Sequence, residues 1–394
     1  MNLTANRKSL LKAIKTTIKS VSKLKDIPEL NGILLEADAE SGVISATGTN
    51  AITQVQSRLL NEHVLESGSI IVMPIIADIL KLLSGDTVEL TIGFDNTLEI
   101  KSGQSQYNIP FLNSNKFPKM TIPFPEDFIC IKNINSLIKK TTFATEDNVT
   151  DISKKSLEFV KLSFADGKTY AEATNGKIAA LSQSPHTSYG NLNIILHKSA
   201  LNILTNIVTA DEELYVGIAG KFAVFMKEDM FFSTMLYDGH YIEGSKLVEY
   251  VKPIYKATVN SKDFTDIISN VTTILSTTDD QCINLCVFDN KVVVKSKTAT
   301  GASQTEIAAT DTAPTNEIGF NYNPKWLMDC LKQATGPLTL SLDSQGFIIL
   351  EANQSRYCIS PRRPVQIKVP KQKSEKKVKS KASNKNKTLV ASAA

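Results

Sequence analysis

A short apolar strand leads into a helix at three places in this sequence: Ile70-Ile-Val-Met-Pro-Ile-Ile-Ala-Asp-Ile-Leu-Lys-Leu-Leu83, Ile194-Ile-Leu-His-Lys-Ser-Ala-Leu-Asn-Ile-Leu204 and Ile318-Gly-Phe-Asn-Tyr-Asn-Pro-Lys-Trp-Leu-Met-Asp-Cys-Leu331. In each case a proline or polar residue stands near the start of the helix, where such residues are favoured. The three starts are 124 residues apart both times. A fixed period of this kind indicates one structural unit repeated along the chain.

Flanking patterns recur with nearly the same spacing. Each of these helices is followed by two strands with alternating apolar residues, near Val88–Ile100, Leu214–Met226 and Leu338–Leu350. A further helical pattern lies upstream in each unit, at Arg7–Val21, Ile134–Thr145 and Lys262–Leu275, and strands follow it from near Ile33, Leu157 and Ile283. The sequence therefore predicts an α+β fold with three tandem copies of one unit. We place the copies at residues 1–122, 123–249 and 250–367, with a tail at 368–394.

The repeat also predicts how the copies assemble. Two helices cover one face of an antiparallel sheet and leave the other face outside. Three units joined end to end leave sheet edges exposed at both ends of the chain, and closure into a ring removes those edges. The pattern therefore favours a ring, without deciding how many chains close it.

Composition limits the class of protein. The chain has 394 residues, 42% of them hydrophobic, which suffices for two or three cores. Of the five cysteines only Cys282 and Cys286 are close, and no second pair completes a zinc set. The first residues show no secretion signal, and no stretch approaches the roughly 18 apolar residues of a membrane span. We expect a soluble cytoplasmic protein with free thiols, no metal and no cofactor.

Charge is concentrated at the C-terminus. Nine lysines and one glutamate lie between Lys368 and Lys387, so this segment carries a charge of +8. Because the net charge of the whole chain is +4, the chain before the segment carries −4. The segment has no aromatic residue and is rich in Ser, Asn and Ala, a composition typical of disorder. It is either an inert solvated extension or an electrostatic tether for DNA or an acidic partner.

No catalytic motif is complete. Gly217-Ile-Ala-Gly-Lys221 resembles part of a phosphate-binding loop, but Tyr215 and Phe222 replace residues that such a loop needs, so a hairpin turn explains it better. The histidines are isolated in sequence, at His63, His186, His197 and His240. A nuclease needs clustered carboxylates, whereas Asp279-Asp280 and Glu212-Glu213 are adjacent pairs at turns. The sequence favours a protein without catalytic residues, although Ser, Cys and His can still converge in space.

Several short motifs resemble those of the bacterial DNA polymerase III beta subunit, the beta sliding clamp. Ile27-Pro-Glu-Leu-Asn-Gly-Ile-Leu-Leu-Glu-Ala37 is similar to the family's Leu-Pro-Ile-Leu…Leu-Leu-Glu stretch. Further matches in the same order are Ala46–Asn50, Lys101–Gly103 with Phe117-Pro118, Ala173–Lys177, Leu236–Tyr241 and Arg356–Arg363. Together they cover residues 1 to about 364, and the tail marks a divergent member. The resemblance implies a head-to-tail homodimeric ring around duplex DNA that tethers the replicative polymerase, with no enzymatic activity.

The resemblance gives the lysines a role. Lys8, Lys12, Lys15 and Lys19 recur along one face of the first helix, opposite Leu11, Ile14, Ile18 and Val21. By itself this pattern is equally that of a solvated lysine face, but in a clamp ring it faces the DNA. Lys139, Lys140, Lys198, Lys325 and Lys332 lie on or near other helices and are expected to line the same hole. Contacts with phosphates position a protein without reading sequence and depend strongly on salt.

The resemblance also implies two protein-binding surfaces. A groove between the second and third copies takes peptides from the polymerase III alpha subunit, the clamp loader and other replication or repair proteins. Its residues here are Leu157, Thr174, Gly176, Lys177, Ile178, Ile242, Leu247, Cys358, Ser360, Pro361 and Arg362. The interface of the homodimer uses Tyr107 and Ile109 from one chain and Ile274 and Leu275 from the other. These four interface residues are equally interpretable as core residues.

Some groove positions depart from the family pattern. Lys177-Ile178-Ala179 stands where His-Arg-Leu is usual, Ile242 replaces a proline, and Ser360-Pro-Arg-Arg-Pro364 replaces Met-Pro-Met-Arg-Leu. Partner peptides are therefore expected to differ from the common motif. The altered groove and the basic tail leave an alternative open: a clamp-fold paralogue that serves as a non-replicative DNA-binding or scaffold protein.

The tail provides a first test. A chain ending at Ile367 should bind duplex DNA more weakly than the full chain at low salt, because up to nine lysine contacts with phosphates are removed. Titration of labelled DNA at several salt concentrations measures this, and the tail peptide added separately serves as the control. Equal affinities for the full and the truncated chain at every salt concentration would identify the tail as an inert extension.

Overall fold

The computed structural model describes residues 1–22, 27–93, 95–185, 190–209, 212–275, 281–298, 301–310 and 318–362. Residues Met1–Arg362 form one compact unit. The lysine-rich tail predicted at 368–394, and the last residues assigned to the third copy, lie outside the described residues.

The elements follow one order three times, except that the first copy has one additional strand, β5. The first copy contains β1 (Asn2–Asn6), α1 (Arg7–Ile18), β2 (Ile33–Asp38), β3 (Val43–Thr49), β4 (Thr53–Leu59), β5 (His63–Glu66), β6 (Gly68–Val72), α2 (Ile75–Leu82), β7 (Thr87–Ile92), β8 (Thr97–Ser102) and β9 (Ser105–Asn113). The second contains β10 (Ile129–Ile131), α3 (Ile134–Thr142), β11 (Phe159–Ala165), β12 (Lys168–Thr174), β13 (Ile178–Pro185), β14 (Leu192–His197), α4 (Lys198–Ile207), β15 (Leu214–Ala219), β16 (Phe222–Lys227) and β17 (Met230–Met235).

A short helix, α5 (Gly244–Tyr250), connects the second copy to the third. The third copy contains β18 (Pro253–Asn260), α6 (Ser261–Thr272), β19 (Ile283–Phe288), β20 (Lys291–Lys297), β21 (Ala302–Ala308), β22 (Ile318–Tyr322), α7 (Pro324–Leu331), β23 (Pro337–Asp343), β24 (Ile348–Ala352) and β25 (Ser355–Ile359). The predicted α+β fold with three tandem copies is confirmed. The exact boundaries at 122/123 and 249/250 stay predictions: the first lies between β9 and β10, and the second at the end of α5.

The first helix of each copy is shorter than the apolar pattern predicts. α1, α3 and α6 end at Ile18, Thr142 and Thr272, about three residues before the predicted ends. The hydroxyls of Thr17 and Thr141 bond to carbonyls one turn earlier in their helices. After α1 and α3 the chain turns: the N–H of Lys19 bonds to the carbonyl of Thr17, and the N–H of Phe143 bonds to that of Thr141, each only two residues back. The apolar pattern continues into the turn and therefore overstates the helix.

Strand pairing continues from one copy into the next. β4 of the first copy pairs antiparallel with β17 of the second, from Thr53 opposite Thr234 to Ser57 opposite Met230. β13 of the second copy pairs with β25 of the third in the same way. The order β10-β15-β16-β17-β4-β3-β2-β6-β9-β8-β7-β1-β5 forms one sheet, and β14-β11-β12-β13-β25-β24-β23-β18 forms another. The remaining sheet, β21-β20-β19-β22, belongs to the third copy alone.

The helices cover one face of these sheets. α1 packs across β3 and β4, α3 across β12 and β13, and α6 across β20 and β21. The buried residues beneath α1 and α2 form one core, and those of the second and third copies form another that also includes Val55 of β4. Each fully buried leucine, isoleucine or phenylalanine contributes on the order of 2 kcal/mol. The cores thus hold the helices in place over the junctions between copies.

Helix α1 lies close against the sheet at Gly48 of β3. A Cβ atom on Gly48 would lie 2.3 Å from the carbonyl oxygen of Thr17 and 2.9 Å from Oγ of Ser20. Because the first of these atoms is backbone, only a shift of the helix can make room. Glycine at position 48 therefore sets how close the lysine-bearing helix lies to the sheet.

Substitution of this glycine tests the contact. Gly48→Ala should destabilise the protein by about 1–3 kcal/mol, because the added methyl group overpacks the interface of α1. Gly301→Ala is the matched control, since a Cβ atom at Gly301 meets nothing within 4 Å. Urea denaturation of both variants measures the effect. Equal midpoints for the two would show that α1 yields to the methyl group without cost.

Candidate nucleic-acid interface and partner surfaces

Four lysines lie on the exposed face of α1. Lys8, Lys12, Lys15 and Lys19 are all exposed, whereas Leu10, Ala13, Ile14 and Thr17 of the same helix are buried. The side chain of Asn6 caps the helix by accepting a hydrogen bond from the N–H of Ser9. Leu11, Ile18 and Val21, predicted as the apolar stripe, are only half-buried and pack at the margin of the core. The predicted single basic face is thus present on this helix.

The lysines of α1 border a cavity at the junction between the first and second copies. The cavity has a volume of about 420 Å³, and it is also lined by the end of α4, by Thr209 and Glu212 beyond it, by Ser57 of β4 and by the β16–β17 hairpin. Lys12 donates a hydrogen bond to Oδ2 of Asp229 at 2.8 Å, and Lys227 lies 3.8 Å from Oδ1 of the same residue. Burial favours a raised pKa for Asp229, but these two cations hold its pKa below the usual value. The charge of Lys12 is therefore largely neutralised.

The other three lysines of α1 carry free charge. Lys8, Lys15 and Lys19 form no ion pair with any other part of the chain that the structure describes. The hydrogen bond to Asp229 is the main cause that raises the pKa of Lys12. An anion at Lys12 would compete with Asp229, whereas at Lys8, Lys15 and Lys19 it would meet no such competitor within the described chain. The four lysines are equivalent in sequence but not in the structure.

The other lysines predicted to face DNA also differ in whether an acidic residue compensates their charge. Lys139 and Lys325 are exposed, and Lys140 is half-buried with its Nζ 3.5 Å from the carbonyl oxygen of Asn353. Lys198 is mostly buried and pairs with Asp147, and Lys332 pairs with Asp329 at 2.8 Å. Because their charges are compensated, Lys198 and Lys332 are the weaker candidates for phosphate binding.

The predicted groove residues come together where β13 meets β25. Ile178 lies opposite Ile359, and the N–H of Ser360 bonds to the carbonyl oxygen of Lys177 at 2.9 Å. Leu157, Thr174, Ile178 and Cys358 are buried, with Ile178 and Cys358 on opposite faces of the sheet, whereas Leu247, Ser360, Pro361 and Arg362 are half-buried. Gly176, Lys177 and Ile242 are exposed at the margin. The structure thus brings these residues to one region, and their role in binding stays a proposal.

Two features of this region were not anticipated from the sequence. Helix α5 carries Leu247 and Val248, which join Ala179, Ile349 and Cys358 in a small apolar cluster on the sheet face opposite the helices of the copies. Lys177, at the position where the family pattern has histidine, forms an ion pair with Glu146 at 3.0 Å. The exposed cation is therefore compensated, and burial raises the pKa of the Cys358 thiol to about 12, which keeps it neutral.

The predicted interface residues occupy different environments. Tyr107 of β9 is 37% exposed and Ile109 is buried, whereas Ile274 and Leu275 are half-buried just beyond α6. Strand β9 pairs with β8 through residues 105–110, and on its other side it pairs with β6 only through residues 111–113. Strand β21 pairs with β20 alone. Both β9 and β21 therefore present free edges within the described chain.

Within the described ranges, no group of three or more His, Cys, Asp or Glu side chains is arranged to hold a metal ion. None of the helices described here is long and apolar enough to cross a membrane.

Comparison with known proteins shows which family this chain resembles. Residues 1–121 match the family described as "DNA polymerase III beta subunit, N-terminal domain". The beta sliding clamp of Staphylococcus epidermidis is 25% identical over 347 residues, covering 84% of this chain and 90% of the relative, and that of Bacillus subtilis is 22% identical over 358 residues, covering 85% and 91%. This chain is similar to beta sliding clamps over most of its length.

Solved structures agree in fold. A putative DNA polymerase III beta subunit from Eubacterium rectale superposes with a TM-score of 0.84 at 18% identity, covering 92% of this chain and 99% of that one. The DNA polymerase sliding clamp of Bacillus subtilis gives 0.82 at 22% identity, with the same coverage. The resemblance inferred from short motifs is therefore confirmed, as are three tandem copies of the clamp fold.

The sequence alone missed the acids that compensate the lysines. Asp229 lies in the Glu228-Asp229 turn between β16 and β17, and the corresponding turns in the other copies are Gly103-Gln104 and Asn353-Gln354. When the three copies are aligned, only the second has acidic residues in this turn. The sequence therefore does contain a signal that marks Asp229. Their partner, Lys12, is 217 residues away, so the pairing itself required the structure.

The lysines of α1 should differ in their contribution to DNA binding. Lys15→Ala should weaken binding and reduce the magnitude of the negative slope of log affinity against log salt by about 1, because one phosphate contact is lost. Lys12→Ala should have a smaller effect, since Lys12 must leave Asp229 before it binds phosphate. Titrations of both variants against duplex DNA give the slopes. Equal slopes would mean that the Lys12–Asp229 pair opens freely on DNA.

Proposed function

We propose that this protein is a DNA sliding clamp: two protomers close a ring around duplex DNA and tether the replicative polymerase to it as a processivity factor. The ring acts through binding alone and performs no catalysis. A role on chromosomal DNA agrees with the cytoplasmic location expected from the sequence. The observation that carries the proposal is the repetition of one strand junction, first to second copy and second to third. The third junction of this series, between the third copy and the first, is not formed within one chain.

The two junctions within the chain obey one rule. In each, the third strand after the first helix of one copy pairs with the last strand of the next copy: β4 with β17, and β13 with β25. The corresponding strands without a partner of this kind are β21 of the third copy and β9 of the first. An antiparallel pair between β21 of one protomer and β9 of another completes the series. Two such pairs close a head-to-tail ring of two protomers.

Corresponding positions give the register of this third junction. Phe232 lies opposite Val55 at the first junction, and Tyr357 lies opposite Ala180 at the second. The equivalent residues are Tyr107 in β9 and Ser303 in β21, counted from the hairpin turns. Phe232 and Tyr357 are fully buried, whereas Tyr107 is 37% exposed. An aromatic side chain thus recurs at this position, and the exposed one belongs to the unmade junction.

The DNA contacts proposed for this ring are electrostatic. Lys8, Lys15, Lys19, Lys139 and Lys325 offer exposed charges, which contact phosphates and do not read bases. Such contacts weaken steeply with salt. Retention of the ring therefore depends on its closed topology and not on affinity.

The groove where β13 meets β25 is proposed to bind peptides from the polymerase III alpha subunit, the clamp loader and other replication or repair proteins. Its floor is apolar and its margin offers Lys177, Ser360 and Arg362, the combination expected of a peptide pocket. A sliding clamp of Pseudomonas aeruginosa, with a TM-score of 0.82 and 20% identity, is described as bound to griselimycin. That clamp therefore accepts a ligand, and the corresponding property here is a proposal.

Retention on circular DNA tests the function. The protein is loaded on a nicked circular plasmid with a clamp loader and ATP, and the plasmid is then linearised. Loss of the protein on linearisation is the expected result, because a ring that slides leaves through the ends. Salt-sensitive binding that ignores the ends would instead identify a non-replicative DNA-binding paralogue.

A cross-link tests the proposed junction. A chain with both Tyr107→Cys and Ser303→Cys should form a disulfide-linked dimer on oxidation, because the register places the two residues opposite each other in different protomers. The control carries Tyr107→Cys and Glu306→Cys, whose positions are out of register. Non-reducing electrophoresis distinguishes them. Equal dimer yields from the two chains would refute this register.

A further inference from the structure

Two adjoining cavities lie on the sheet face opposite the helices, where β4 meets β17. Their volumes are about 340 and 380 Å³, and Arg58, Phe124 and Phe231 line both. Gln54, Gln56 and Arg58 of β4 point to this face, whereas Val55 and Ser57 point to the helices. We call the two cavities together the first-junction groove. It lies at a different junction from the peptide groove proposed above.

The same place at the second junction also holds a cavity, but of different chemistry. That cavity has a volume of about 680 Å³ and is lined by Gln183, Glu351 and Arg356. Strand register makes these residues equivalent to Arg58, Met226 and Phe231. The fold therefore tolerates polar and charged residues at these positions. The fold by itself therefore does not explain why the first-junction groove exposes apolar residues at these positions.

The apolar lining is exposed and held in place. Phe124 is 70% exposed and Tyr215 is 48% exposed. The ring of Phe124 packs edge-on against Phe128, with centroids 5.2 Å apart. The side chain of Gln54 accepts from the N–H of Met120 at 2.8 Å and donates to its carbonyl oxygen at 3.2 Å, which fixes the connecting segment on the sheet. The wall of the groove is thus preformed, and exposed aromatic clusters of this kind mark interaction sites.

The charges that line one half of the first-junction groove favour an anionic group of a ligand. The cavity that includes Met120 and Ile122 is lined by Arg58, Lys119 and two glutamines, with no acidic residue. Lys119 pairs with Glu36 at 2.7 Å, whereas the guanidinium of Arg58 bonds to Oε1 of Gln56 and forms no ion pair within the described chain. The other half also contains acidic residues, Glu228 and Asp229, of which Asp229 pairs with Lys12, and Met226, Tyr215 and Phe231 supply its apolar surface.

We propose that the first-junction groove binds an extended peptide segment of a partner protein, in which a carboxylate side chain adjoins an aromatic or long aliphatic one. The carboxylate pairs with Arg58, and the apolar side chain packs against Phe124 and Phe231. Arginine suits this role because its planar guanidinium binds a carboxylate through two hydrogen bonds. The site goes beyond the proposed clamp function and does not depend on ring closure or DNA.

Two labelled peptides, Gly-Glu-Phe-Leu-Gly and Gly-Gln-Phe-Leu-Gly, test the groove by fluorescence anisotropy with the full chain. The first should bind saturably and about tenfold more tightly than the second, because only the carboxylate forms a charged pair with Arg58. Arg58→Gln should abolish this difference. Phe124→Ser, at a largely exposed residue, should weaken both peptides about tenfold without lowering the melting temperature.

Matched controls separate this site from the other groove. Arg356→Gln and Leu247→Ala alter the second junction and should leave both affinities unchanged, whereas binding lost in Leu247→Ala and kept in Phe124→Ser would overturn the proposal. The absence of saturable binding by either peptide would overturn it as well. Concentration-dependent self-association that Phe124→Ser abolishes would identify another protomer as the occupant instead. Retention on plasmid is measured in parallel, because failure of the clamp function leaves these peptide results intact.

Discussion

Antiparallel pairing of β4 with β17 and of β13 with β25 is the interaction on which the rest of the structure depends. Each pair converts two exposed strand edges into one continuous sheet and satisfies backbone groups that would otherwise need water. The pairing places the helices of neighbouring copies on one face and leaves the other face to the grooves. It also brings side chains from distant parts of the chain into contact, as with Thr53 and Thr234, whose hydroxyl oxygens lie 2.9 Å apart in the buried junction.

The same pairing explains the electrostatics of α1. The hairpin between β16 and β17 delivers Asp229 to the lysine face only because β17 adjoins β4, over which α1 packs. One lysine is thereby neutralised while its neighbours on the helix stay free. The DNA contacts proposed for this helix are weak and electrostatic, and they do not require every cation of the face to be free. The junction thus positions the helix and also adjusts its charge.

The junctions are alike in backbone and different in chemistry. Equivalent strands and equivalent hairpin turns frame a cavity at both, yet Phe231 and Met226 line the first where Arg356 and Glu351 line the second. Repetition of the fold supplies the place for a site, and divergence of the exposed side chains gives each place its own partner chemistry. Buried positions diverge less, since Phe232 and Tyr357 are both aromatic and both fill the core beneath the junction.

The amino-acid sequence by itself determined the repeat, the class of fold, the family resemblance and the single lysine face of α1, because these follow from periodicity and local motifs read within one segment of chain. Helix lengths were overestimated, since the apolar pattern continues into the turn after Ile18. Helix α5 was missed because so short an element has little periodicity. Only the tertiary structure decided which charges are compensated and where cavities form. Lys12 and Asp229 are 217 residues apart, and Arg58, Phe124 and Phe231 come from three separate segments. No local pattern relates such residues, because strand register across a junction brings them together.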